Sequence, residues 1–241
     1  MKPDLTIFFP VFNDENTVRT MTEKTIEVCE DIANKYEVII INDCSPDRSG
    51  EICNELAAEY KQVRVIHHVK QLGYGAALKS GFKAANYEWI CLTDGDDEYD
   101  INDIRKLIKL KDYYDLIITF RYKKIYSNTR IFISFFYNML LRWLYRTAYR
   151  DISTGLKMVR KSVIDEISIS SDSPFIGAEL TIKIMLKGYR VGEVGIQTFP
   201  RKFGSGSSTS FSNILKTIRD MRRIYKEIFS ENYDVSANRK Q

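Results

Sequence analysis

The chain predicts an α/β fold, a mainly parallel sheet flanked by helices, and two observations carry that prediction. Short apolar runs alternate with longer stretches of helical periodicity across residues 5–93, the pattern of βαβ units. Polar clusters follow three of the runs, at residues 10–15, 43–47 and 94–98. In a parallel sheet the carboxyl ends of the strands share one edge, and ligands bind in the crevice outside it. The three clusters are therefore expected on a single rim.

Taken in order, Leu5, Thr6, Ile7, Phe8 and Phe9 form a first strand closed by Pro10. Asn13 to Asn16 supply turn and cap chemistry, after which Val18, Met21, Val28, Cys29, Ile32 and Tyr36 recur near one helical face. A second strand at 37–41 ends in the polar turn 42–47, which leads into a helix over 49–61. A short strand at 64–67, a helix at 75–85 and a fourth strand at 89–93 follow. Further on, 151–160 reads as a turn and a strand, 177–187 as a helix carrying Glu179, and 189–196 as a late strand. Residues 211–229 place Ile214, Leu215, Ile218, Met221, Tyr225 and Ile228 on one stripe, with Lys216, Arg219, Arg222, Arg223 and Lys226 largely off it. Such a helix could pack on the domain, touch a membrane or join a partner subunit. Residues 231–241 have the composition of a disordered end. The expected organisation is one domain over 1–210, with a helical insertion at about 121–150, and a helix and tail over 211–241.

Composition narrows the function classes. A length of 241 residues is ample for a sizeable core, and a net charge of +4 is too small to imply nucleic-acid binding. The four cysteines lack metal-finger spacing and read as reduced thiols of a cytosolic protein. No signal peptide is expected at the start, and no run reaches the roughly 18 apolar residues of a membrane span.

The acidic stretch after the fourth strand carries the chemistry. If the extended backbone continues through it, Asp94, Asp96 and Glu98 share a face, and Gly95 admits a close approach between them. Crowded carboxylates repel unless a cation lies among them, and hard oxygen ligands suit Mg²⁺ or Mn²⁺. A solvated loop capping the next helix is the plain alternative, and the shared rim speaks against it. The glycine-rich piece 71–81 is not a dinucleotide fingerprint, because Leu78 stands where its third glycine would fall.

In order and spacing these pieces resemble the family-2 glycosyltransferases of GT-A fold. The resemblance is to the branch with dolichol-phosphate mannosyltransferase and bacterial polyprenyl-phosphate glycosyltransferases. The matching residues are Pro10, Val11, Phe12, Asn13, Asp14 and Glu15; the turn 41–47 with Asp43; the loop Gly73 to Gly81; and Asp94 to Glu98. Residues 151–157, Glu179 and 201–207 complete the set. The chain departs from the pattern with Phe12 for Tyr, Asn42 for Asp, Gln71 for Asn, Glu98 for Gln and Ser207 for Lys. The resemblance implies a nucleotide pocket lined by Pro10, Phe12, Asp14, Asp43 and Gly73. It implies a metal and diphosphate site at Asp94, Asp96 and Glu98, with Arg201 in a loop closing on phosphate. Arg121 and Arg130 match acceptor-phosphate arginines, and Ser134 lies one helical turn beyond Arg130.

From 116 to 150 there are seven Lys or Arg residues and no Asp or Glu, and residues 130–149 are dense in aromatics. That composition suits a helix in a membrane interface, with Arg142 and Arg146 reaching headgroups. A core-packed hairpin is the alternative. The expected reaction is a metal-dependent, inverting transfer of a sugar from a nucleoside-diphosphate sugar to a polyprenyl phosphate. It would occur on the cytoplasmic face of a membrane, by a peripheral protein acting alone, as a homo-oligomer or with a membrane partner subunit. A lipid phosphate is already ionised and needs no strong base, whereas a saccharide hydroxyl would need one, for which Asp151 or Glu179 would serve. A non-catalytic sugar-nucleotide-binding subunit and an NAD-dependent oxidoreductase are the remaining alternatives.

Overall fold

Apolar strands alternate with helices because this sheet is covered on both faces. The structure, a computed structural model, describes residues 1–95, 98–123, 128–200 and 211–229, without the side chains of residues 123, 128–130 and 211. The first half runs β1 (Asp4–Val11), α1 (Val18–Ile32), β2 (Lys35–Asn42), α2 (Ser49–Glu59), β3 (Val63–His67), α3 (Tyr74–Ala84) and β4 (Trp89–Leu92). A 3₁₀ turn (Ile101–Asp103) and α4 (Ile104–Ile108) lead to β5 (Leu116–Lys123) and the long α5 (Asn128–Tyr145). Then come β6 (Lys157–Arg160), α6 (Lys161–Asp165), α7 (Ile176–Leu186), β7 (Val191–Gln197) and α8 (Phe211–Phe229). The end expected to be disordered, 231–241, lies outside the described residues.

Among the described residues the strands form one sheet in the order β3-β2-β1-β4-β6-β5-β7. β1 pairs in parallel with β2 on one side and β4 on the other, and β7 runs parallel to β5. β6 alone is antiparallel to both its neighbours. Period-two alternation splits the core into two layers. Leu5, Ile7, Phe9 and Val11 join the buried faces of α1 and α2, while Phe8 turns to the opposite layer with α3 and α7. Phe8 meets Phe82 edge to face at 5.0 Å between ring centres, and Gly81 leaves no room for a Cβ against the same ring.

The structure adds elements that the periodicity does not announce. β5 is one, because its apolar residues run directly into the basic stretch. The short helical turns over 101–108 are another. Tyr36 lies in β2 and not on the α1 face. β4 stops at Leu92, so the extended alternation expected through Asp94 and Glu98 is not formed. Thr93 N still donates to the Phe8 carbonyl at 3.2 Å. The chain then turns beneath β1, where a Cβ on Gly95 would lie 2.8 Å from the Pro10 carbonyl.

At the opposite edge, buried Glu37 ties β1, β2, β3 and the end of α3 together. It accepts from Thr6 Oγ1 (2.7 Å), Arg64 Nε and Nη2 (3.0 and 2.7 Å), and Asn86 N and Nδ2 (2.8 and 3.0 Å). Burial alone would raise its pKa; the hydrogen bonds from Thr6, Asn86 and Arg64 outweigh that and hold it below the ordinary carboxylate value. A depressed pKa contributes stability that is present above the unfolded value and lost as pH falls through the folded one. Glu37→Gln is expected to cost about 2 kcal/mol at pH 7. The loss should shrink only once the pH drops below the ordinary glutamate value of 4.5. Urea unfolding at pH 7 and pH 4 checks this, and a deficit unchanged between the two would contradict it.

Candidate active site

Two loops at the carboxyl edge, after β1 and β2, are locked to each other by side chains. Asn13 N donates to Ser45 Oγ (3.2 Å), Asp14 N to Ser49 Oγ (2.9 Å) and Glu15 N to Asp47 Oδ2 (3.1 Å), while Arg48 N donates back to Glu15 Oε2 (3.1 Å). The interlock bends both chains into left-handed backbone, with φ of 64° at Asn13 and 58° at Cys44. Asp14 Oδ2 accepts from Phe12 N at 2.9 Å, and the Phe12 ring stays 41% exposed at the rim.

Asp43 anchors a third loop to this pair. Its carboxylate accepts from the backbone N–H groups of Leu72 (2.9 Å) and Gly73 (2.8 Å) and contacts His68 Nδ1 at 2.6 Å. Gly73 has a φ of 93°, a conformation that glycine adopts without strain. Because a carboxylate only accepts, Nδ1–H donates to Asp43, and His68 Nε2 meets Ser80 Oγ at 2.9 Å. His67 does similar work beside it, between Asn42 Nδ2 and Asn54 Oδ1, both at 2.9 Å. Neither histidine belongs to a recognisable motif, and no sequence signal points to them.

Of the residues expected to hold a metal, Asp94 and Glu98 are described here; Asp96 lies outside the described residues. Asp94 Oδ1 accepts from the Tyr74 hydroxyl at 2.8 Å. Its Oδ2 packs against Gly155, where a Cβ would come within 2.2 Å. Glu98 is buried, and its carbonyl accepts from Phe199 N at 3.0 Å. Tyr99 is buried beside them, and its hydroxyl accepts from Gly155 N at 3.0 Å. Burial first, and then the Asp94 charge, push the Tyr99 phenol upward. No group of three His, Cys, Asp or Glu converges among the described residues. The Asp94 carboxylate does fit one position around an oxygen-seeking divalent ion: it is a hard donor, half-buried at the rim, pinned by Tyr74 and cradled by a glycine that admits nothing larger. Tyr74 and Gly155 both lie within motifs legible in the sequence, but their contact with Asp94 does not follow from spacing.

Arg121 and Asp151, expected as acceptor ligand and alternative base, are brought together. Arg121 Nε and Nη2 both reach Asp151 Oδ2 at 2.8 Å, and both side chains are largely buried. Burial works against the guanidinium charge, but Asp151 more than compensates, so Arg121 is held protonated. Glu179 is elsewhere. It is fully buried, paired with Lys183 at 2.8 Å, and accepts from Ser170 N (2.9 Å) and Ser171 N (2.8 Å). Burial would raise its pKa, yet Lys183 and the two serines hold it below the carboxylate range. The α5 backbone includes Arg130, whose side chain is outside the description, and Ser134, half-buried, whose carbonyl accepts from Asn138 Nδ2 at 2.9 Å. Arg201 and the loop to Ser207 fall outside the described residues.

α5 is one continuous helix, not a hairpin. It buries Asn138, Leu141 and Tyr145 and turns Phe132, Phe135, Phe136, Met139 and Trp143 outward, Trp143 being 77% exposed. Arg142 folds back onto the carbonyls of Tyr149 (3.0 Å) and Arg150 (3.1 Å), and Arg146 takes a left-handed φ of 52° just past the helix end. No described helix is long and apolar enough to cross a membrane.

A mixed, mainly parallel sheet flanked by helices, with a carboxylate at the end of its fourth strand facing a glycine loop, is the GT-A arrangement of glycosyltransferases. The chain belongs to glycosyl transferase family 2, whose description matches residues 6–168. It is 26% identical over 208 residues to glycosyltransferase AglD of Haloferax volcanii, covering 82% of this chain and 33% of that one. It is 23% identical over 224 residues to the undecaprenyl-phosphate 4-deoxy-4-formamido-L-arabinose transferase of Pectobacterium carotovorum subsp. carotovorum, covering 90% and 66%. The chain spans 33% to 66% of the length of the curated relatives it matches first. In fold it is similar to Mycobacterium tuberculosis glucosyl-3-phosphoglycerate synthase, solved with Mn²⁺, uridine-diphosphate and phosphoglyceric acid. That likeness has a TM-score of 0.71 at 13% identity and covers 93% of this chain and 78% of that one.

Beneath the Arg121–Asp151 pair lies a group that the 151–157 match includes but to which the sequence assigns no role. Lys157 is fully buried; its Nζ donates to the Ile152 carbonyl (2.6 Å) and to Thr181 Oγ1 (3.1 Å), holding the turn that carries Asp151 and Gly155. Burial lowers its pKa to about 7, with Asp151 pulling the other way. A neutral amine still has two protons for these two acceptors. Between the folded value and the ordinary 10.5 the unfolded chain binds the extra proton, so the Lys157 contribution to stability grows as pH rises. The stability lost in Lys157→Met should therefore be larger at pH 9 than at pH 6. Paired urea titrations of wild type and variant measure this, and equal losses at the two pH values would show that the lysine is charged in the fold throughout.

Proposed function

We propose that the protein transfers a sugar from a nucleoside-diphosphate sugar to a polyprenyl phosphate, with inversion, on the cytoplasmic face of a membrane. The observation that carries this is the meeting, on one rim, of the Asp43 clamp, the pinned Asp94 and the Arg121–Asp151 pair, with the exposed aromatics of α5 on the same chain. Pro10, Phe12, Asp14, Asp43 and Gly73 would frame the nucleotide. Their loops are fixed to one another before any ligand arrives, which spares ordering cost on binding. A divalent cation of the Mg²⁺ or Mn²⁺ kind, held by Asp94 with Asp96 and Glu98, would supply Lewis-acid stabilisation to the departing diphosphate. Tyr74 and Gly155 hold the Asp94 carboxylate in place for that role. Arg121, Arg130 and Arg201 would orient the incoming phosphate by charge-assisted hydrogen bonds, with Ser134 beside them. The phosphate oxygen forms its bond to the anomeric carbon as the bond to the diphosphate breaks on the opposite face.

The state of the two carboxylates supports an acceptor that arrives ionised. A hydroxyl acceptor would need a base, yet Asp151 is engaged by Arg121, and Glu179 is buried against Lys183 with a lowered pKa.

A donor screen tests the reading: purified protein, divalent metal, a panel of nucleoside-diphosphate sugars and short-chain polyprenyl phosphate, following nucleoside diphosphate release. Release with a saccharide acceptor and none with the lipid phosphate would overturn the acceptor, and no release with any donor would overturn the reaction. Asp94→Ala is expected to abolish transfer with the fold intact. Tyr74→Phe, which removes one hydrogen bond to a charged group, should slow it roughly 10-fold or more. For the membrane, Phe136→Ser with Trp143→Ser should remove the part of liposome binding that survives high salt, because apolar burial is not screened. Flotation at low and high salt measures it, and an unchanged salt-resistant fraction would place the contact elsewhere.

A further inference from the structure

α8 is bolted to the domain by its acids. Asp220 is buried, pairs with Arg223 at 2.8 Å and accepts from the backbone N–H groups of Asp172 (3.2 Å) and Ser173 (3.1 Å). Glu227 pairs with Lys183 at 2.8 Å. Tyr145 at the end of α5 donates to the Met221 carbonyl at 2.7 Å, and its ring meets Tyr225 at 6.1 Å. With both acids of α8 turned inward, its outer face keeps the cations. Arg219, Arg222 and Lys226 are exposed and form no ion pair among the described residues. They border a groove of about 590 Å³ whose apolar lining includes Leu144 of α5 and Met221 and Tyr225 of α8.

From this we infer that the α5–α8 groove is a binding site for the headgroup and upper acyl chain of an anionic phospholipid, apart from the transfer site. The inference rests on the membrane-surface reading above and adds what gives that surface its charge preference. The occupant follows from complementarity. An apolar slot edged by four cations, of which only Arg223 is paired among the described residues, matches an amphiphile with a negative head. Leu144 brings the groove to α5, the helix that carries the exposed Trp143. Among the described side chains of α5 the one cation, Arg142, is folded onto the carbonyls of Tyr149 and Arg150. The described face of α5 thus supplies mainly an apolar contact, and α8 adds a cationic one.

The test uses the full chain and vesicles of phosphatidylcholine alone or mixed with phosphatidylglycerol. Wild type should prefer the anionic vesicles. The variant Arg219→Gln/Arg222→Gln/Lys226→Gln should lose roughly 100-fold in affinity for them at low salt, with little change on phosphatidylcholine. Circular dichroism and Tm of the variant should match wild type, since the three side chains are exposed and outside any ion pair among the described residues. Equal wild-type binding to both vesicle types would overturn this inference and leave the membrane reading standing. Undiminished preference in the variant would do the same. Failure of wild type to bind either vesicle would overturn both. Lipid-free self-association of wild type that the triple variant abolishes would assign the groove to a second copy instead.

Discussion

The geometry of the rim follows from the pairing of β1 in parallel with both β2 and β4. It forces three strands to release their chains at the same edge. The loops that leave there have nowhere to go but against one another, and each satisfies the polar groups of its neighbour. Ser45 Oγ receives the N–H of Asn13, and Ser49 Oγ receives that of Asp14, both across the gap between the β1 and β2 loops. Were one strand reversed, its acidic cluster would appear at the opposite edge. β6, which is reversed, brings its preceding turn up to the rim, so that Gly155 meets Asp94.

Charge near the rim is committed to partners that also fix a loop. Asp43 holds the glycine-rich turn, Arg121 and Asp151 hold each other, and Lys157 holds the carbonyl of Ile152. Leaving one of these groups without its partner would strand a buried charge in a low-dielectric surround, which is far more costly than the bond is favourable. The same arrangement prepares the rim electrostatically: donors and acceptors stand in place before a substrate adds its own charge.

The two long helices divide the opposite tasks of anchoring and presenting. α5 buries a narrow stripe at Asn138, Leu141 and Tyr145 and leaves its aromatics in the open, and α8 buries Met221, Ile224 and Ile228. Where they meet, Tyr145 is shared between them, its hydroxyl on the Met221 carbonyl and its ring against Tyr225. An exposed aromatic face of this extent is unusual on a surface that meets only water.

The order of residues was enough to read the alternation of strands and helices, the single rim, the loops that line it and the family to which the chain belongs. These are local properties: periodicity of two or of 3.6, a proline or glycine at a turn, a run of carboxylates after an apolar strand. Which motif touches which was settled by long-range pairing. That Tyr74 donates to Asp94, that Gly155 is the floor beneath it, that Arg121 is matched to Asp151 and that Glu179 is taken up by Lys183 all depend on the strand order and on one reversed strand. His68 shows the limit most plainly. It precedes the glycine-rich loop without belonging to it, and becomes a partner of Asp43 only because β3 lies beside β2 in register. A side chain's type and its neighbours along the chain are given by covalent order. Its neighbours in space are given by the packing of distant segments, and chemistry is done by neighbours in space.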